Sequence, residues 1–114
     1  TSVFPSGNVD HRRKVMSAMR KLLTIICETD LERKLIESVM ALGAHGYTVT
    51  EARGRGAHGE RDAAWGPSGN IRMEVICEAA VADTIAAHLR EAYFANYSMV
   101  LYLSNVEVLR DDKF

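Results

Sequence analysis

The sequence predicts an α+β domain of ferredoxin-like βαββαβ order with a long loop between strands 2 and 3. Three observations predict it. Apolar residues alternate with polar ones at period two in short stretches, they recur at helical intervals in two longer stretches, and a glycine-rich basic segment interrupts the pattern midway. Strand, helix, strand, strand, helix, strand is the split βαβ arrangement, with both helices on one face of the sheet.

Taken in order, residues 22–27 form a short, branched apolar run of strand length with polar residues at both ends. Thr29-Asp30-Leu31-Glu32 matches a capping box, so a helix is expected to begin there. Leu31, Leu35, Val39 and Leu42 give that helix one apolar stripe, and Gly43 or Gly46 supplies the stop. Residues 47–52 alternate as a half-buried strand does. After the loop, Ile71, Met73, Val75 and Cys77 share one side of the next strand, which turns Arg72 and Glu74 to the other. Val81, Ile85, Leu89 and Ala92 mark a second helix over residues 79–94, rich in alanine. Residues 100–103 and 106–109 read as a last strand, bent near Ser104-Asn105.

With both helices on one face, the other face needs water or another chain to cover it. Thr24, Ile26, Thr48, Thr50, Arg72, Glu74 and Ile76 fall there, a mixture of apolar and hydrogen-bonding groups that suggests oligomerisation.

A length of 114 residues leaves room for one domain. Residues 1–20 are expected to be an N-terminal extension, flexible or a short helix, with Met16 and Met19 as alternative natural starts; residues 21–114 are the folded domain, with its loop at 53–70. The net charge of −1 gives no general attraction to nucleic acid or to a membrane surface, so any membrane association is expected to be peripheral and through a partner. Cys27 and Cys77 lie in apolar runs and read as reduced core thiols, too few for a disulfide framework or a four-cysteine zinc site. No apolar run is long enough to span a membrane and no signal-peptide pattern opens the chain, so a cytoplasmic protein is expected.

The loop carries the chemistry. Arg53, Arg55 and Arg61 supply forked donors suited to phosphate or carboxylate, and glycines let backbone amides approach an anion closely. Loops beyond about 12–15 residues in a compact domain are usually functional or disordered. Gly54-Arg55-Gly56-Ala57-His58-Gly59 formally matches the dinucleotide fingerprint, but that motif works by opening a helix, and here the next element is a strand. Arg72 and Glu74 on the return strand and Thr48 on the strand leading in lie toward one sheet edge. Cations beside a carboxylate and a hydroxyl suit a nucleotide, whose phosphates need positive charge and whose ribose and base need directional partners. The histidines, His58 among them, show no metal-ligand spacing. Trp65 either packs on a partner or lies in a collapsed loop. No nucleophile, base and orienting group share one scaffold, so the protein is not expected to be an enzyme.

At this point the chain resembles the PII signalling family. Gly46-Tyr47-Thr48-Val49-Thr50-Glu51 followed by Gly54-Arg55-Gly56 is similar to the segment leading into the family's T-loop, and Asn70-Ile71-Arg72-Met73-Glu74-Val75 to its third strand. Tyr93-Phe94-Ala95-Asn96-Tyr97 and Ser104-Asn105-Val106-Glu107-Val108-Leu109 more closely resemble the PII-like subgroup associated with bicarbonate transporters and carboxysomes. The likeness covers about residues 22–110. It implies a homotrimer with adenine nucleotide in the clefts between neighbours. Carried over, Thr48, Gly54, Arg55 and Gly56 contact the nucleotide at the base of the loop, with His58 beyond them, and Arg61 reaches its phosphates. Asn70, Arg72, Glu74 and Ile76 line the cleft, Ser98 and Met99 close over the phosphates, and Arg110 contributes from the last strand.

The loop has no counterpart of the uridylylated tyrosine of classical PII proteins. His58 stands where the transporter-associated proteins carry arginine, Met99 stands where they carry glycine, and their cysteine-bearing C-terminal extension has no counterpart. These departures shift the expected ligand toward AMP or ADP, with ATP and cyclic AMP as further candidates and bicarbonate as a companion anion. The expected function is a sensor acting through its loop on a bicarbonate transporter or carboxysome-related protein. The alternatives are slow adenine-nucleotide hydrolysis at the same cleft, or a trimeric metal-tolerance or structural protein.

Overall fold

A computed structural model describes residues 17–56, 59–60 and 69–110. Strands β1 (Ala18–Glu28), β2 (Thr48–Ala52), β5 (Asn70–Cys77) and β6 (Val100–Val108) form one antiparallel sheet in the order β2-β5-β1-β6. The short strands β3 (Arg55–Gly56) and β4 (Gly59–Glu60) pair with each other apart from it. Helices α1 (Glu32–Ala41) and α2 (Ala79–Tyr93) connect β1 to β2 and β5 to β6. This is the expected ferredoxin-like α+β fold.

Period-two alternation sorts the strands. Leu23, Ile25 and Cys27 of β1 and Ile71, Met73, Val75 and Cys77 of β5 are buried in the core. The helices cover that face with Leu35 and Val39 of α1 and with Ala82, Ile85, Leu89 and Tyr93 of α2. Tyr93 takes the place expected of Ala92, which is exposed. Spacings of three and four residues carry the stripe past Ala92 to Tyr93 on the last turn.

Helix α1 ends in a Schellman motif. The Gly43 amide donates to the Met40 carbonyl and the Ala44 amide to the Val39 carbonyl, with Gly43 at φ 118°. Buried Ala44 and Val39 supply the apolar contact that accompanies this cap.

Three expectations are corrected. The capping box does not form, because residues Thr29–Leu31 turn as a 3-10 helix with no side-chain cap. The Thr29 amide donates instead to the Gly69 carbonyl at 3.0 Å, tying the end of β1 to the end of the loop. Strand β1 starts at Ala18, so Ala18, Met19 and Arg20 belong to the sheet and not to an extension; they pair with Val108, Glu107 and Val106. Strand β6 pairs with β1 in unbroken register through Ser104 and Asn105, where a bend was expected. Residues 1–16 of the expected extension lie outside the described residues.

Candidate functional site

The antiparallel register assembles the uncovered face in rows. Thr50, Arg72, Ile26 and Val100 stand side by side across the sheet, and Thr48, Glu74, Thr24 and Tyr102 form the next row. Ile76, Leu22 and Ser104 follow. Directly opposed residues on adjacent antiparallel strands present their side chains to the same face. All seven residues expected on this face therefore share it.

Among the described residues, Arg72 and Glu74 form the ion pair of this face. Arg72 Nη2 lies 2.7 Å from Glu74 Oε2, with the side chains 47% and 35% exposed. The residues are two apart on one strand, so they project from the same side of β5 toward water. An ion pair so placed contributes about 0–1 kcal/mol, which leaves both groups available for exchange with a ligand.

Of the residues expected at the site, Thr48, Arg72, Glu74 and Ile76 come together on this face. Asn70 begins β5 at the foot of the loop, opposite Ala52 and Glu28, and is buried. Gly54 is exposed just past β2. The backbone of Arg55 and Gly56 runs as β3, paired with β4. A ladder therefore follows Gly54, and the fingerprint-like glycines open no helix at that point. His58, Arg61 and Trp65 lie outside the described residues.

Ser98 is exposed and precedes β6 at the loop-foot end, where Val100 pairs with Ile26. The Met99 side chain is buried in the core cluster, so at this end the segment presents its backbone. The turn before it is fixed by Asn96 and Tyr97 amides donating to the Tyr93 carbonyl and by an edge-to-face contact between Tyr93 and Tyr97 at 5.6 Å. Arg110 follows β6 at the far end, where Val108 pairs with Ala18, roughly 26 Å along the strand from the loop foot at about 3.3 Å per residue. Within one subunit Arg110 is remote from Arg72.

Sequence reasoning placed Thr24 on this face without assigning it to the site, and it did not consider Tyr102. The signal for Tyr102 was available, because it alternates with Leu101 and Leu103 in a strand whose register determines its neighbours. Elsewhere, a surface hollow at the start of α1 is lined by Asp30, Glu32 and Glu37, with Arg33 the cation, a poor setting for a phosphate. Cys27 and Cys77 are free and buried, and burial is the main influence pushing both thiols up. Among the described residues no cluster of His, Cys, Asp or Glu is placed to hold a metal ion, and no helix is long and apolar enough to cross a membrane.

Comparison with known proteins places these features in a family. Residues 20–113 match the family described as Nitrogen regulatory protein P-II. A PII-like signalling protein from Thermus thermophilus is 42% identical, with 86% of this chain and 97% of that chain covered and a TM-score of 0.72. CPII from Thiomonas intermedia, a nitrogen regulatory PII-like protein, shares the fold at lower identity. Its structure bound to ADP and bicarbonate is 21% identical, covers 86% of this chain and 96% of that chain, and has a TM-score of 0.76. Its structure with ADP, AMP and bicarbonate is 20% identical over 86% and 95%, again with a TM-score of 0.76. The chain belongs to the Nitrogen regulatory protein P-II family.

Proposed function

We propose that this chain is a cytoplasmic, homotrimeric regulatory sensor that binds ADP or AMP together with bicarbonate on the uncovered sheet face. Through the loop at residues 53–70 it reports that state to a bicarbonate transporter or carboxysome-related protein. The observation that carries the reading is the registered cluster of Thr48, Arg72 and Glu74: a cation for phosphate beside a carboxylate and a hydroxyl suited to ribose or base. The ligands of CPII are of the same class, ADP, AMP and bicarbonate. A neighbouring copy of the chain brings Arg110 to a cleft that its own subunit leaves without it. Arg55, His58 and Arg61 add donors from the loop. The protein acts as a sensor and not as an enzyme, since its occupancy is the signal.

Isothermal titration with AMP, ADP, ATP and cyclic AMP, each with and without bicarbonate, tests this. ADP or AMP is expected to bind best, and more tightly with bicarbonate. Absence of binding by all four nucleotides removes the nucleotide reading. Binding indifferent to bicarbonate removes the link to inorganic carbon alone.

A further inference from the structure

Thr24 sits in the middle of the uncovered face, with Glu74 directly opposite on one side and Tyr102 on the other. It is fully buried at 0% exposure, and its hydroxyl has no hydrogen-bond partner among the described residues. A buried hydroxyl without a partner is destabilising, and a valine of similar volume would avoid that cost. Threonine here therefore works against the stability of the ligand-free protein. Glu74 is meanwhile held by Arg72, in an ion pair exposed enough to exchange. Opposed residues of an antiparallel ladder have Cβ atoms about 4.5–5.5 Å apart, so rotation of the Glu74 side chain alone can bring its carboxylate to the Thr24 hydroxyl.

We propose that Thr24 is a positioning residue for the ligand-bound site. When a nucleotide phosphate draws Arg72 away, the Thr24 hydroxyl donates a hydrogen bond to the Glu74 carboxylate and holds it toward the nucleoside. The inference rests on the nucleotide-binding reading and adds to it an exchange of partners. Arg72 trades a carboxylate for a phosphate, and Glu74 trades a guanidinium for a hydroxyl. Arg72 stays paired with an anion, the Glu74 carboxylate keeps a hydrogen-bond donor, and the unused donor on the face is satisfied only when ligand is present.

The test combines ADP titration with thermal unfolding of the ligand-free protein for Thr24→Val, Thr24→Ser, Glu74→Gln and the double variant Thr24→Val/Glu74→Gln. Thr24→Val is expected to melt no lower than the parent, yet to bind ADP about tenfold more weakly, the scale of one hydrogen bond to a charged group. Thr24→Ser keeps the hydroxyl and is expected to bind as the parent does. In the Glu74→Gln background Thr24→Val is expected to cost little further, because Thr24 acts through the carboxylate. Thr24→Ala, which also lacks the hydroxyl, repeats the measurement with a smaller side chain should the valine not be accommodated. Parental ADP affinity in Thr24→Val overturns the inference, as does an equal loss with and without the Glu74 carboxylate. Both results leave the sensor reading standing, whereas failure of the parent itself to bind ADP removes the reading and the inference together.

Discussion

The two faces of the sheet are built from alternate residues of the same strands, and they answer to different physics. On β5, Met73 is fully buried between Ile25 and Val49, while its neighbours Arg72 and Glu74 reach water. The covered face stabilises by removing apolar area from water, at about 25 cal/mol per Å², and is indifferent to direction. The uncovered face carries an exposed ion pair of small energetic weight and holds its groups in directional rows. A slip of one residue in register would exchange the two sets, so the apolar residues that hold the fold also fix where Thr48, Arg72 and Glu74 stand.

Breaking the covered face should have the largest effect. Met73→Asp places a carboxylate where no water and no cation reach it, at a cost of several kcal/mol against a whole-domain stability of about 5–15 kcal/mol. Loss of the cooperative thermal transition by circular dichroism is expected. Glu74→Met, the mirror change one residue on, is expected to melt near the parent. Similar melts for the two variants would show that the faces do not differ as the register says.

Alkaline pH probes the covered face without changing its shape. Burial first, then the charges of Glu28 and Glu32, push the Cys27 thiol up to about 12 from an ordinary value of 9.0. Between those values the unfolded chain gives up the proton and the folded chain keeps it. The contribution of the neutral thiol is thus complete below pH 9 and is lost as pH rises to about 12, by up to roughly 4 kcal/mol at 1.36 kcal/mol per unit. Cys77 and Tyr93 shift in the same direction, burial leading in each. Urea midpoints should fall from pH 8 to 11, and fall less in Cys27→Val; an equal slope in that variant would remove Cys27 from the explanation.

Much of the covered face is legible in the sequence because local period settles it: alternation exposes Ile71, Met73, Val75 and Cys77, and helical spacing exposes Leu31, Leu35 and Val39. What was misread depends on distant partners. Thr29 fits a capping box locally, but its amide is taken by the carbonyl of Gly69 across the loop. Residues 18–20 show no strand-like apolar run and are extended because β6 reaches Val108 to pair with them. Met99, among turn residues, joins the core cluster, which no local pattern signals. The candidate site was legible where alternation decides it, at Thr48, Arg72 and Glu74. Burial of Thr24 was not, since nothing local shows that a threonine on an open face is closed over.

Arg72→Ala should change stability least and is the sharpest test of the uncovered face. The ion pair lost is exposed at both ends, so a decrease of less than about 1 kcal/mol is expected. Glu74 is left able to take water or the Thr24 hydroxyl as its partner. On the proposed reading the same variant loses its phosphate cation, and affinity for ADP should fall at least tenfold while affinity for adenosine, which has no phosphate, changes little. The two measurements move apart only if Arg72 serves a ligand. A loss of several kcal/mol in the ligand-free protein would mean that the open face holds the fold as the covered one does, and the division between the faces would have to be redrawn.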